Sequence, residues 1–124
     1  MHIQSPLFVS LLPALIWSGN LLAADTQETA VNNGREHFKI FCTNCHGEHA
    51  DGKGPLVAHL KITPADLTAL QQTSDLCMAE RVLKALSGRH EVGAGEEQKM
   101  PVFSDNLAVI TVYEISEYLK TLQK

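Results

Sequence analysis

The chain has no basic face. Ten Lys and Arg against fourteen Asp and Glu leave a formal net charge of −4. A general nucleic-acid binder is therefore not expected. No long alternating apolar–polar run is present, which argues against a sheet, and there is no internal repeat or low-complexity tract. No apolar stretch reaches the roughly 20 residues that a transmembrane helix needs. Cysteine is scarce too. There are three, Cys42, Cys45 and Cys77, and only the first two lie close together.

What is present begins with a leader-like segment. Residues 5 to 17 form a short uncharged apolar run, followed by Ala23, Ala24 and the first acid, Asp25. This resembles a secretory signal (residues 1–24) cleaved near Ala24. No Lys or Arg precedes the run, and an uncleaved membrane anchor is the alternative. No cysteine stands at the cleavage position, so lipid anchoring there is not expected. The remaining residues 25–124 make one domain. Its 44% apolar content is ordinary, and a large apolar cofactor in the core would help so small a domain to fold.

The domain reads as all-α, about four helices joined by long loops. Asp25 to Asn33 is polar and reads as frayed. From Asn33, Gly34, Phe38 and Phe41 recur at helical spacing up to Cys42. Gly47, Gly52, Gly54 and Pro55 mark a loop. Thr63-Pro64-Ala65-Asp66 predicts a helix start, with Thr63 as cap, and a short helix to about Leu70. Ser74 or Asp75 caps the next, whose face is Leu76, Ala79, Val82, Leu83 and Leu86 and whose stop is Gly88. Gly93 and Gly95 place a loop before Met100-Pro101. In the last helix Thr111 and Glu114 form a capping box; Ile115, Tyr118, Leu119 and Leu122 share the inner face, with Glu117 and Lys120 outside.

The chemistry is concentrated in Cys42-Thr43-Asn44-Cys45-His46. Two thiols three residues apart can each add to a vinyl group on one side of a haem, and the following imidazole can reach the iron. C-x-x-C-H reads as a c-type haem attachment for that reason. Two alternatives remain at this point. A zinc site normally needs four ligands, often from paired motifs, and Cys77 stands alone. A thiol–disulfide redox pair would sit in a βαβ setting, which the pattern lacks.

An iron held by His46 has a sixth position, for which the sequence offers Met78, Met100, His49, His59 and His90. Met100 is favoured. Pro101 restrains the backbone after it, and the glycine-containing loop before it is long enough to fold over a haem. A thioether suits iron(II) and raises the potential relative to two histidines. The ordinary role of a lone methionine is core packing.

These pieces together resemble a small bacterial class I c-type cytochrome with one haem. The resemblance covers most of residues 25–124. It runs through Gly34 and Phe38, Cys42 to Gly47, Gly52-Lys53-Gly54-Pro55, Pro64-Ala65-Asp66-Leu67, Lys99-Met100-Pro101 and the helix of Tyr118 and Leu119. It implies an all-α cytochrome c-like fold wrapped around one covalently bound haem c. Gly34 and Phe38 would let the first helix cross closely over the last near Tyr118. The carbonyl of Pro55 would accept a hydrogen bond from His46 Nδ1 and increase donation to the iron. Leu67, Val82, Leu86 and Val102 or Phe103 would pack the haem. Trp17, the only tryptophan, lies in the leader, so the propionate-binding tryptophan of longer cytochromes has no counterpart.

The expected function is that of an exported, periplasmic electron carrier for redox partner proteins, not an enzyme, because two strong axial ligands leave no open site. The alternatives are a haem subunit of a larger periplasmic oxidoreductase complex, and a sensor or peroxidase with a labile sixth ligand. Membrane contact is expected only if the signal is uncleaved. Lys53, Lys61, Arg89 and Lys99 are candidates for a weakly positive docking rim. His37 reads as a solvated helix residue. Cys77, left over after haem attachment, reads as a small buried residue, with a dimer through its thiol as the functional alternative.

Overall fold

The computed structural model describes residues 20–72, 75–88, 100–103 and 107–124, with side chains from Ala24 onward. Among these the protein is all-α, with no strand. Four α-helices follow in order: α1 (Asn20–Phe41), α2 (Thr43–His46), α3 (Met78–Leu86) and α4 (Val109–Thr121). Short 3₁₀ turns lie at Val57–His59 and Leu67–Gln72, the second interrupted at Ala69.

The centre of the fold is the crossing of α1 and α4. Phe38 is 1% exposed and its ring meets that of Tyr118 at 5.5 Å between centroids, tilted by 57°. Gly34 lies against the α4 backbone. A Cβ there would stand 2.5 Å from the carbonyl carbon of Glu114 and closer still to its oxygen. The crossing expected from Gly34, Phe38 and Tyr118 is therefore present. Ile115 and Leu119 are buried beneath it, with Leu122 packed at the edge.

α1 is much longer than its apolar spacing predicts. Asp25–Asn33, read as frayed, is helical. The reason is a polar seam to α4. Asn33 Nδ2 donates to Glu114 Oε1 at 2.8 Å, and Gln27 Nε2 donates to Glu117 Oε2. Ala30 is buried in the same seam. Glu117, expected outside, is thus buried and held by Gln27 and Lys120. His37 is not simply solvated: its Nε2 lies 3.0 Å from Glu114 Oε2.

The third helix packs through Met78, Val82 and Leu86, one stripe at intervals of four. Of the expected face, Val82 and Leu86 are buried, whereas Leu76 and Leu83 are exposed. Gly88, at φ 72°, follows the stop as expected. Three cap expectations change. α3 starts after Cys77 with no side-chain cap, and Ser74 lies outside the described residues. α4 starts after Ala108, so Thr111 is inside its first turn. The Thr63 cap is replaced by Asp66, whose Oδ1 accepts from the Thr68 amide at 2.8 Å. Among the described residues no helix is long and apolar enough to cross a membrane.

Candidate functional site

The motif Cys42–His46 lies where α1 ends. The Cys42 amide makes a last α1 bond to the Phe38 carbonyl at 2.9 Å. The chain then starts one new turn, α2, with the His46 amide 2.8 Å and the Cys45 amide 3.2 Å from the Cys42 carbonyl. This turn sets Cys42 and Cys45 three residues apart on neighbouring positions, with His46 next. Gly47, at φ 80°, ends it.

The following loop closes back on the turn. Amides of Leu56, Gly54 and Gly52 donate to the carbonyls of Asn44, Cys45 and His46 at 2.9, 3.1 and 2.9 Å. The approach at Gly54 is so close that a Cβ there would meet the Cys45 carbonyl carbon at 2.6 Å. Three carbonyls of the motif are thus satisfied by one glycine-rich loop, which fixes the turn from outside.

His46 is 8% exposed. Its Nδ1 is 3.0 Å from the Ala65 carbonyl oxygen, so Nδ1 carries the proton and donates. Its Nε2 has no hydrogen-bond partner among the described residues. Burial lowers the proton affinity of the ring, and the bond to Ala65 opposes that only in part. The result is a neutral imidazole in a buried residue, with Nε2 an acceptor that no described residue pairs. A buried polar group of that kind is ordinarily paired, so Nε2 is a candidate position for a ligand.

This arrangement corrects the expectation for Pro55. Pro55 is exposed, and the carbonyl on His46 belongs to Ala65. The cause is the loop geometry. Gly52 takes φ 78° and lies under the Pro64 carbonyl, where a Cβ would stand 2.5 Å from the oxygen. Leu67 N–H donates to Ala50 C=O at 2.7 Å. These two contacts seat residues 64–67 on the loop and bring Ala65 to the ring. A backbone carbonyl has no residue signature, so sequence alone could not have named it.

Cys42 is buried, Cys45 is half-buried and both are free thiols. Burial, with a smaller contribution from Cys45, pushes the Cys42 thiol up to about 12. A thiol–disulfide catalyst needs a lowered thiol, so this site is poorly suited to that chemistry. A thioether, which does not ionise, suits it well. Among the described residues no three His, Cys, Asp or Glu side chains come together as a zinc site requires.

Met100 is half-buried and packs against the core that contains Cys42, Met78, Val82 and Leu86. Its segment is tied to the end of α3, because Phe103 N–H donates to Leu86 C=O at 2.8 Å. Phe103 also meets Phe41 edge-on at 6.2 Å. Of the expected haem-packing residues, Val82 and Leu86 are buried, Leu67 and Phe103 are half-buried against the core, and Val102 is exposed. Met78, one of the other sixth-ligand candidates, is buried on the α3 stripe; His49 and His59 are exposed. His90, Arg89 and Lys99 lie outside the described residues.

The residues present therefore fit a haem. Two thiols and a buried imidazole whose Nε2 has no hydrogen-bond partner among the described residues share one turn, and the Met100 thioether, from a separate segment, packs against the core that contains Cys42. Lys53 and Lys61 of the expected docking rim are exposed, Lys53 beside Asp51 at 3.1 Å. Cys77, expected buried, is exposed at the position preceding α3. No protein-family model matches this chain, and no curated protein matches it.

Proposed function

We propose that this chain is an exported, periplasmic, monohaem c-type cytochrome that passes single electrons between redox partner proteins. Cys42 and Cys45 would hold the haem covalently, and His46 and Met100 would ligate its iron. The group itself would supply the one-electron couple. The observation that carries the reading is the state of His46, which directly follows the second of the paired cysteines: it is buried, its Nδ1 donates to the Ala65 carbonyl, and its Nε2 has no hydrogen-bond partner among the described residues.

Each residue has a definite part. Ala65 fixes the ring of His46 and raises its donor strength. Cys42 needs burial without charge, which a thioether provides. The α1–α4 crossing holds the motif rigid from behind, because Phe38 C=O accepts the Cys42 amide and Phe38 is itself locked on Tyr118. Rigid ligands limit reorganisation and so favour electron transfer over ligand exchange. The protein is on this reading a carrier and not an enzyme.

A second reading makes the chain the haem subunit of a larger oxidoreductase complex. It draws on Val109, Ile110 and Tyr113, apolar residues exposed together on the first turns of α4, with Val109 84% exposed. Exposed Cys77 likewise puts a thiol where a second copy could reach it and form a dimer. A reversible reduced-minus-oxidised difference spectrum of a haem protein tests the carrier reading. Co-purification with a dehydrogenase or reductase at native concentration would favour the subunit reading.

A further inference from the structure

The carbonyl on His46 belongs to a segment held by the residues that follow α4, Gln123 and Lys124. We propose that Gln123, Lys124 and Asp66 form a positioning strap that sets the donor strength of His46 by fixing the Ala65 carbonyl on its Nδ1. The inference rests on the His46 reading above and extends it.

The strap is built from short bonds. Gln123 Nε2 donates to Leu67 C=O at 2.8 Å and to Leu119 C=O at 2.8 Å. Its Oε1 accepts from the Gln71 amide at 3.1 Å. The Lys124 amide donates to Thr68 C=O at 3.0 Å. Asp66 Oδ1 receives the Thr68 amide at 2.8 Å and so closes the turn that follows Ala65. One amide side chain thus joins the segment carrying Ala65 to Leu119, a buried residue of α4.

The other side of the segment is held by the loop after the motif, through Leu67 N–H to Ala50 C=O at 2.7 Å. Ala65 is therefore clamped between the glycine loop and α4. Asp66 and Lys124 also approach as charges, Nζ to Oδ2 at 3.8 Å, but both side chains are well exposed. A surface pair of that kind contributes little. The backbone and amide bonds do the holding.

None of these residues is hydrogen-bonded to His46, so they act through Ala65. A structural role alone would change stability but not the properties of the ring. The Gln123→Ala variant of the full chain separates the two. The readout is exchange of the His46 Nδ1 proton, followed by NMR, together with the reduction potential of the haem-bearing chain. Loss of the strap loosens the Nδ1 bond, so exchange speeds up roughly tenfold, the effect of losing one net hydrogen bond. A weaker Nδ1 bond makes the imidazole a poorer donor to iron(III), so the potential rises. Asp66→Ala weakens the segment from its other end and shifts both readouts the same way; it decides the matter if Gln123→Ala does not fold.

An exchange rate at the wild-type value, with α1 and α4 amides still protected, overturns the proposal. So does an unchanged potential in the haem-bearing chain. If the chain carries no haem at all, the proposed function fails on that ground, while proton exchange at His46 still decides whether the strap positions Ala65.

Discussion

Gly34 and Glu114 are in backbone contact: the glycine lies against the Glu114 carbonyl, with no room between them for a methyl group. Glycine inside a helix ordinarily costs about 1 kcal/mol relative to alanine. Here its missing Cβ lets the α1 and α4 backbones meet at this position.

Gly34→Ala should therefore destabilise the protein in spite of its better helix propensity. The clash is with backbone, which cannot rotate away, so overpacking outweighs the propensity gain. We expect a net loss of about 2 kcal/mol, read as a lower denaturant midpoint. A midpoint at or above that of the wild type would mean that the crossing is looser than the contact implies.

Phe38→Ala should cost more, about 3–5 kcal/mol. Phe38 is 1% exposed and carries both the ring contact to Tyr118 and the carbonyl that ends α1 at Cys42. The side chain leaves a cavity directly behind the motif. Chemical denaturation checks the loss, and the haem spectrum should broaden before the chain unfolds.

Met100→Ala should open the sixth position. The reduced protein would then bind carbon monoxide rapidly, and its potential would fall because the thioether is lost. The wild type should bind it slowly. An unaltered spectrum and potential in the variant would point to another ligand, with buried Met78 the first to examine.

The denatured chain should titrate one thiol. Attachment of a haem would consume Cys42 and Cys45 and leave Cys77, which is exposed in the fold and should also react without denaturant. Three reactive thiols after denaturation would contradict attachment. Non-reducing electrophoresis of the same sample reads directly whether Cys77 links two copies.

Acid should weaken the α1–α4 seam. Burial raises the Glu117 carboxyl, but the hydrogen bonds from Lys120 and Gln27 and the charge of Lys120 outweigh it, holding the group below its ordinary 4.5. A lowered carboxyl contributes stability that is complete above 4.5 and is lost as the pH falls through the folded value. Glu117→Gln should flatten that part of the stability–pH curve, measured by denaturation between neutral and strongly acid pH. An unchanged slope would remove Glu117 as a source of acid sensitivity.

Much of the crossing was legible because its signals are steric. Gly34, Phe38, Ile115, Tyr118 and Leu119 announce themselves by size and spacing, and they meet as the spacing implies. Cys42, Cys45 and His46 stand out in the sequence by residue type, and the fold sets them on one turn at the end of α1. The first half of α1 was not. Gln27 and Asn33 look solvated in sequence, and only their distant partners Glu117 and Glu114 make them helix-forming contacts. Tertiary bonds there override local polarity. The same holds for the start of α4, where Thr111 has the right chemistry for a cap but the helix has already begun at Val109. Cys77 is exposed, against the expectation from sequence, because the packed face of α3 begins one residue later, at Met78. Ala65 could not be read at all, since its contribution is a backbone oxygen placed by Gly52 and Leu67.

Covalent attachment of one haem at Cys42 and Cys45 underlies the proposed function. Intact mass of the purified chain, made in cells that can attach haem and measured after denaturation and acid extraction, tests it most directly. A polypeptide heavier by one haem is expected, with the addition lost when both Cys42 and Cys45 are replaced by serine. A chain at the mass of its amino acids alone, with all three thiols free, would contradict it.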